Sequence, residues 1–135
     1  MVLEVAPGEI LVPDLGSDVV WQYTVAQDAA LTEVGATTLP SGSGPRHAAL
    51  GKGGKVYVVA ELSLQVMELG SDCAEGAEGA ARGVCRTADI PSTAAGGAGN
   101  STFTSAAAIR VSRDQKFLYV SLRTCLLYTS PSPRD

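Results

Sequence analysis

The feature that most constrains the fold of this chain is an internal repeat. Three segments, 9–25, 47–69 and 107–123, each carry a short run of β-forming residues that leads into a turn of small or polar residues. The second and third segments align without a gap when Val59 is placed on Val120. The alignment also superimposes other positions: Ala48-Ala49-Leu50 on Ile109-Arg110-Val111, and Lys55 on Lys116. A chain that repeats itself in this way builds one structural unit several times.

The repeating unit is a set of short antiparallel strands. Gly53-Gly54 and Asp114-Gln115 fall at the same hairpin turn, where residues that tolerate a positive φ are favoured. An apolar strand follows this turn, and in the first two copies the unit also has a third, alternating strand. These strands are 56–60, 117–121, 19–25 and 64–69. Repeats of about 40 to 60 residues of this kind are typical of propeller blades. We therefore predict an all-β fold, a partial β-propeller of two to three four-stranded antiparallel blades.

Two segments depart from the repeat. Residues 71–101 are rich in Gly, Ala and Ser, a composition that predicts a low-complexity loop insertion at the surface. Residues 1–124 are predicted to form part of a single domain that carries this insertion. The last eleven residues, CLLYTSPSPRD, show neither the strand period nor the turn signals of the repeat.

The segment 125–135 has an unusual candidate origin. One codon reading of these residues resembles the adaptor used in transposase-based sequencing libraries, translated in a single frame. We therefore predict that 125–135 is not native and exclude it from the fold prediction. On this hypothesis the natural sequence continues past Thr124 and the chain is a fragment. A natural Pro/Ser-rich terminus is the alternative.

The net charge argues against two classes of partner. It is −4 at pH 7, without a block of like charges, whereas nucleic acids and anionic membrane surfaces bind basic faces. No stretch approaches the roughly 18 apolar residues of a membrane span, and the N-terminus lacks the order of a secretory signal. We expect a cytoplasmic protein that binds neither nucleic acid nor membrane and that meets any anionic ligand through a few local arginines.

The cysteines are Cys73, Cys85 and Cys125, and an odd number is more typical of free thiols than of a disulfide framework. A Cys73–Cys85 bridge across the loop between them is the alternative. One histidine, dispersed cysteines and isolated carboxylates provide no ligand pair at a useful spacing. We therefore expect no metal and no cofactor.

Three charged residues at strand ends form the strongest candidate site. Arg46 stands at the start of one strand, Glu61 just past the end of the next, and Arg123 just past the equivalent strand of the following unit. In a propeller such positions can converge near the central channel. Two guanidiniums and a carboxylate can bind an anionic substrate, polarise a carbonyl and act on water or a proton. Solvated surface charges are the competing interpretation.

His47 follows Arg46 in the stretch SGSGPRHAAL and is the only histidine. The stretch is not a phosphate loop, because no Gly-Lys-Ser/Thr follows and a strand rather than a helix comes next. A serine-type triad would have to use His47, yet the sequence contains no Gly-x-Ser-x-Gly elbow. His47 is therefore either a substrate contact or a residue that shapes the start of the strand.

The same residues carry a resemblance to a known family. VPDLGSDVVWQYTV, LPSGSGPRHAAL followed by KVYVVAELSLQV, and AAAIRVSRDQKFLYVSLRT resemble the 6-phosphogluconolactonase and carboxymuconate cyclase family of seven-bladed β-propellers. The similarity runs from Ile10 to Thr124 and is interrupted by 71–101. The Gly-Pro-Arg-His element followed by Glu-Leu is the more specific part, whereas VSRDQKFLYVS is a type of segment found in many propellers.

The resemblance implies a lactone hydrolase of the pentose phosphate pathway whose substrate, 6-phosphoglucono-δ-lactone, is a small anionic sugar lactone. It implies Arg46, Glu61 and Arg123 as catalytic residues: one arginine holds the phosphate, another stabilises the oxyanion, and Glu61 helps to activate water. His47 is the candidate substrate-binding residue. The family histidine most often discussed as acid or base is expected upstream of Ile10, on a segment that this chain lacks.

Two other functions stay open. A muconate-type cycloisomerase would place a dicarboxylate on the same arginines and transfer a proton without water. A non-enzymatic propeller would present an aromatic or Arg cluster to a protein partner; Trp21 and Tyr23 can belong to one, but their alternation on a strand favours packing between blades. We therefore expect no protein partner.

Three residues depart from the family pattern. They are Gly53, Gln115 and Leu122, and Leu122 is expected to alter the rim of the pocket. With two to three blades of seven, the isolated chain cannot close a ring, and its open edges are expected to leave it unstable and inactive.

Overall fold

The computed structural model describes residues 1–74, 78–79, 81–91, 104–123 and 127–131. Within these ranges the chain forms twelve β-strands and two short 3-10 turns, at Lys52–Gly54 and Ser71–Cys73. The all-β prediction is confirmed. Within the same ranges, no helix has the length and apolar character to cross a membrane.

The strands form three antiparallel sheets, which we call the first, second and third blade. The first contains β1 Leu3–Ala6, β2 Glu9–Asp14, β3 Val19–Val25, β4 Leu31–Thr38 and, at the edge beside β4, β8 Glu78–Gly79. The second contains β5 Pro45–Leu50, β6 Val56–Ala60, β7 Gln65–Gly70 and β9 Gly83–Asp89, and the third contains β10 Ala106–Val111, β11 Phe117–Leu122 and β12 Leu127–Pro131. The predicted partial propeller of two to three blades is confirmed.

Strand β6 shows how the blades pack. All five of its residues are buried, and because side chains alternate between the two faces of a strand, each face serves a different neighbour. Val58 lies in a core shared with the first blade, whereas Val59 lies in a core shared with the third. The first core contains Leu11, Val20, Leu39, Ala48, Val56, Val58, Ala60, Met67 and Leu69. The second contains Ala49, Tyr57, Val59, Ile90, Ala106, Ile109, Leu118, Val120 and Leu122. The middle blade is therefore apolar on both faces.

The hairpin turns have the left-handed backbone that the repeat predicts, at Gly53 (φ 67°), Gly54 (φ 76°) and Gln115 (φ 61°). The turns nevertheless differ in length. Val59 lies opposite His47, whereas Val120 lies opposite Ile109, one residue nearer in sequence. The gapless alignment of the two units is therefore wrong by one residue on the strand before the turn.

Part of the predicted insertion is a strand. β9 pairs with β7 and completes the second blade, so the prediction of a loop throughout 71–101 is wrong for Gly83–Asp89, and also for the short strand Glu78–Gly79. This edge strand is mostly exposed, and it therefore lacks the apolar alternation by which a strand is recognised in sequence. Residues 75–77, 80 and 92–101 lie outside the described residues.

The connection from β7 to β9 reaches across to the first blade. Its short strand β8 pairs with β4, and Arg82 donates from Nη1 to Glu9 Oε1 at 3.0 Å and to Gln22 Oε1 at 3.1 Å. Gln22 is 5% exposed, so this network satisfies a buried amide that would otherwise destabilise the interface. The first two blades are thus joined by polar contacts as well as by their core.

Strand β12 lies within 125–135, the segment predicted not to be native. It pairs with β11 from Ser121 opposite Leu127 to Phe117 opposite Pro131. Backbone pairing at a sheet edge does not depend on side-chain alternation, so a strand forms here although the sequence pattern of 125–135 does not predict one. The predicted origin of 125–135 stays a prediction.

Candidate active site

Three charged side chains meet where the second and third blades adjoin. Arg46 lies in β5, Glu61 directly follows β6, and Arg123 directly follows β11. Arg46 Nε is 2.9 Å from Glu61 Oε2, and Arg123 Nη1 is 3.4 Å from Glu61 Oε1. The structure therefore brings together the three residues that the sequence predicts as catalytic, with the carboxylate between two guanidiniums.

Backbone hydrogen bonds align the segments that carry these side chains. The amide of Glu61 donates to the Gly44 carbonyl at 2.7 Å, and the amide of Ala106 donates to the Glu61 carbonyl at 3.3 Å. The amide of Arg123 donates to the Ser105 carbonyl at 2.9 Å. The loop before β5, the end of β6, the start of β10 and the end of β11 are therefore tied side by side.

The three side chains differ in their access to solvent. The Glu61 side chain is 12% exposed, that of Arg46 is 29% exposed and that of Arg123 is 51% exposed. Arg46 also donates from Nη1 to the carbonyl oxygen of Ala107 at 2.7 Å. Among the described residues, Nη2 of Arg46 has no acceptor. This nitrogen and the half-exposed guanidinium of Arg123 are the groups that can bind a ligand.

His47 adjoins the cluster, with Nε2 3.5 Å from Arg46 Nη1. Burial of the ring, followed by the positive charge of Arg46, lowers the pKa of His47 from its ordinary value of 6.5. The imidazole is therefore neutral at pH 7 and has one donor and one acceptor nitrogen. Such a ring can bind a substrate hydroxyl, and the substrate-binding role of His47 stays a prediction.

Asp18, which no sequence motif marks as a site residue, anchors the loop before Arg46. Asp18 lies in the turn between β2 and β3, and its Oδ1 and Oδ2 accept hydrogen bonds from the amides of Gly44 at 2.7 Å and Gly42 at 2.8 Å. These bonds lower the pKa of Asp18 from 3.8. The sequence shows a turn at Gly16-Ser17-Asp18, but the partner loop lies 24 residues later, and its approach depends on how the blades pack.

The family resemblance led us to expect Leu122 at the rim of the pocket, and this expectation is wrong. Leu122 is 6% exposed and packs in the core between the second and third blades with Leu118 and Val120. These three residues are two apart along β11, so strand alternation places them on the same face.

Trp21 and Tyr23 lie on the face of β3 opposite Val20, and Val20 is the residue that enters the core with the second blade. Both aromatic side chains are half-buried, and Trp21 Nε1 donates to Asp14 Oδ2 at 3.4 Å. The rings thus face away from the second blade. Their packing against another blade stays a prediction.

Cys73 and Cys85 form a disulfide. The expectation of free thiols is therefore wrong for this pair, and the bridge that the sequence left open as the alternative is present. Strand β9 returns beside β7 and brings Cys85 to the turn that carries Cys73. This approach depends on β9, the strand that the sequence does not predict.

Asp72 lies beside both sulfurs, so potential metal ligands do meet here, contrary to the sequence-based expectation. Cys125 lies outside the described residues.

Comparison with known proteins agrees with this architecture. The chain matches the family model described as "Lactonase, 7-bladed beta-propeller" over residues 3–130. The match includes all three blades and continues into β12. No curated protein matches the sequence.

Solved structures with the same fold include three of bacterial origin. A protein from Lactobacillus plantarum is 34% identical, with a TM-score of 0.74 over 91% of this chain and 34% of that one. The periplasmic gluconolactonase of Pseudomonas aeruginosa is 29% identical, with a TM-score of 0.71 over 90% of this chain and 33% of its own length. A Bacteroides fragilis protein, provisionally described as a 6-phosphogluconolactonase, shares the fold at 21% identity and a TM-score of 0.64, over 96% of this chain and 39% of that one.

The chain spans about a third of the length of the first two of these structures. The three blades therefore match about a third of each of those two chains. The family match extends over nearly the whole sequence, and this chain therefore belongs to the lactonase family of seven-bladed β-propellers.

Proposed function

We propose that a complete propeller containing these three blades hydrolyses a lactone, with 6-phosphoglucono-δ-lactone as the substrate. The observation that supports this function is the convergence of Arg46, Glu61 and Arg123 in a member of a lactonase family. Lactone hydrolysis requires stabilisation of the oxyanion that forms when water attacks the carbonyl carbon. Guanidinium groups supply that stabilisation and also bind phosphate.

The two arginines differ in ways that suit different tasks. Arg46 is held by Glu61 and by the Ala107 carbonyl, and in the proposed mechanism its remaining N–H groups bind the lactone carbonyl oxygen. Donors held in place before the reaction stabilise the oxyanion without reorganisation. Arg123 is the most exposed of the three, and in the proposed mechanism it binds the phosphate.

Glu61 accepts the proton of the attacking water in this mechanism. Its Oε1 is 3.4 Å from Arg123, a long contact that leaves this oxygen able to accept from water. Attack forms the tetrahedral intermediate, the ring C–O bond then breaks, and the proton held by Glu61 passes to the departing ring oxygen. The product is an open-chain hydroxy acid, which ionises to the carboxylate. His47, neutral at pH 7, binds a sugar hydroxyl.

Acid release at constant pH tests the proposal, with spontaneous lactone hydrolysis subtracted as a blank. In the complete propeller, Arg46→Ala should lower kcat/KM by about 100-fold or more, as removal of an oxyanion donor does. The control Arg113→Ala changes an exposed arginine in the β10–β11 turn and should leave the rate unchanged. An unchanged rate in Arg46→Ala contradicts the proposal. The 135-residue chain, assayed in parallel, is expected to be inactive because its ring is open.

The substrate is tested with a pair of lactones. Arg123→Ala should raise KM for 6-phosphoglucono-δ-lactone and leave KM for glucono-δ-lactone, which has no phosphate, nearly unchanged. Equal increases in KM for both lactones would contradict the contact between Arg123 and the phosphate, but not the proposal that the protein hydrolyses a lactone.

A further inference from the structure

We propose that Asp72, Cys73 and Cys85 form a redox-gated zinc site, which binds Zn²⁺ when the Cys73–Cys85 disulfide is reduced. The site lies at the edge of the second blade, where β7 and β9 pair. It does not depend on the proposed lactonase function. The sequence leads us to expect a cytoplasmic protein, and in that compartment disulfides are kept reduced.

The ligand atoms are already close to a coordination geometry. Asp72 Oδ1 is 3.7 Å from Cys73 Sγ and 3.7 Å from Cys85 Sγ. Tetrahedral zinc, with Zn–S bonds of about 2.3 Å and Zn–O bonds of about 2.0 Å, requires S···O separations of about 3.5 Å and an S···S separation of about 3.8 Å. The oxygen is therefore almost in place. Once the disulfide is reduced, rotation of the two cysteine side chains supplies the separation of the sulfurs.

Gly70 leaves the space that this cluster occupies. A Cβ at position 70 would overlap Asp72 Oδ1 and lie 2.9 Å from Cys85 Sγ. The backbone of Gly70 is extended, with φ −150°, a conformation that any residue adopts. A side chain at this position would therefore displace the Asp72 carboxylate or the Cys85 sulfur, although the backbone itself would accept it.

A second layer of charged groups orients the carboxylate. Lys55 Nζ lies 3.6 Å from Asp72 Oδ2 and 2.9 Å from Glu68 Oε1, and the Glu68 side chain is 2% exposed. One oxygen of Asp72 thus faces Lys55 while the other faces the sulfurs, as is usual for carboxylates that bind metals.

The disulfide and the zinc-bound form exclude one another, because both use the same two sulfurs. A dithiol or phosphine reductant supplies two electrons, and the two sulfurs take up two protons and become thiols. Zn²⁺ displaces both protons and binds two thiolates and Asp72, with water in the fourth position. Exchange with a low-molecular-weight disulfide reoxidises the pair and releases the metal. The same three residues therefore alternate between a covalent crosslink and a metal site.

The test is a zinc titration of the tag-free chain in competition with a chromophoric chelator. Cys125→Ser removes the third thiol, and a phosphine keeps the pair reduced without competing for the metal. We expect about one Zn²⁺ per chain, the release of about two protons per metal, and no binding to the oxidised chain. Binding no tighter than that of the Cys73→Ser/Cys85→Ser variant overturns the proposal.

Two further variants separate a preformed site from a flexible dithiol. Asp72→Asn, at a side chain that is 69% exposed, should weaken zinc binding at least about tenfold. Gly70→Ala should do the same, whereas its control Gly16→Ala, which meets only an ordinary contact at 3.7 Å, should not. A reduced chain that unfolds would bind zinc equally in all of these variants, and that result also overturns the proposal.

Discussion

Asp18 Oδ1 accepts a hydrogen bond of 2.7 Å from the amide of Gly44, and this bond joins the first blade to the loop that leads into Arg46. The second carboxylate oxygen accepts a bond from Gly42. One side chain of the first blade therefore sets the position of a charged residue in the second.

Asp18→Asn should destabilise the chain and reduce the acid sensitivity of its folding. The amide keeps one acceptor but turns N–H groups toward one of the two backbone donors. Because the folded-state pKa of Asp18 lies below 3.8, its contribution is present above that value and is lost as the pH falls through the folded-state pKa. Urea unfolding between pH 7 and pH 3 should show a smaller loss of stability in the variant. Equal acid dependence would contradict the anchoring role, and Glu4→Gln, at an exposed strand position, is the control.

Gly44→Ala and Gly42→Ala form a matched pair in the same loop. Both glycines have a left-handed backbone, with φ 63° and 83°, so alanine costs about 1–2 kcal/mol at either position. Only at Gly44 would the new Cβ also clash, lying 2.6 Å from Leu62 Cγ. We expect Gly44→Ala to lower the free energy of unfolding more than Gly42→Ala. If urea denaturation gives equal losses in the free energy of unfolding for the two variants, the Leu62 side chain moves aside without an energetic penalty and the expected clash is contradicted.

Glu61→Ala should lower the free energy of unfolding by about 2–4 kcal/mol, because it leaves Arg46 with an unpaired guanidinium in a partly buried position. The double variant with Arg46→Ala should recover part of this loss. Glu33→Ala, at an exposed position of β4, is the control and should change stability by less than about 0.5 kcal/mol. A loss at Glu61 no larger than the loss at Glu33 would mean that the ion pairs contribute nothing to stability.

His47 should titrate below 6.5, and as the only histidine it gives a single imidazole signal in NMR. Since burial is the main cause, Arg46→Ala should raise this pKa only part of the way to 6.5. A neutral, partly buried ring contributes stability above pH 6.5 that is lost as the pH falls through the folded-state pKa. A titration midpoint at or above 6.5 in the unmodified chain would contradict the neutral-imidazole role.

The sequence predicts the blades because their strands alternate. Val19–Val25 and Val56–Ala60 have the predicted bounds, and the position of Glu61 directly after β6 follows from the second of them. Tertiary contacts between distant segments are harder to predict. The bonds from Asp18 to the loop before β5, and the meeting of Cys73 with Cys85, depend on strand pairing that local patterns do not show.

Edge strands are the other source of error. β9 is mostly exposed, and its residues lack the period that marks β6, because only one side of an edge strand has a neighbour to pair with and little of β9 is buried. The sequence of 83–89 is therefore read as a loop. Without β9, the cluster of Asp72 with the two cysteines is also invisible in the sequence.

The ribosome makes β1 to β4 of the first blade before it makes the strands that bury their apolar face. Leu11 and Val20 are synthesised with β2 and β3, but their partners Val58 and Met67 belong to β6 and β7. During that interval the growing chain presents an apolar sheet face of the kind that chaperones bind. A translational stop between β5 and β6 would therefore release a polypeptide that aggregates instead of folding.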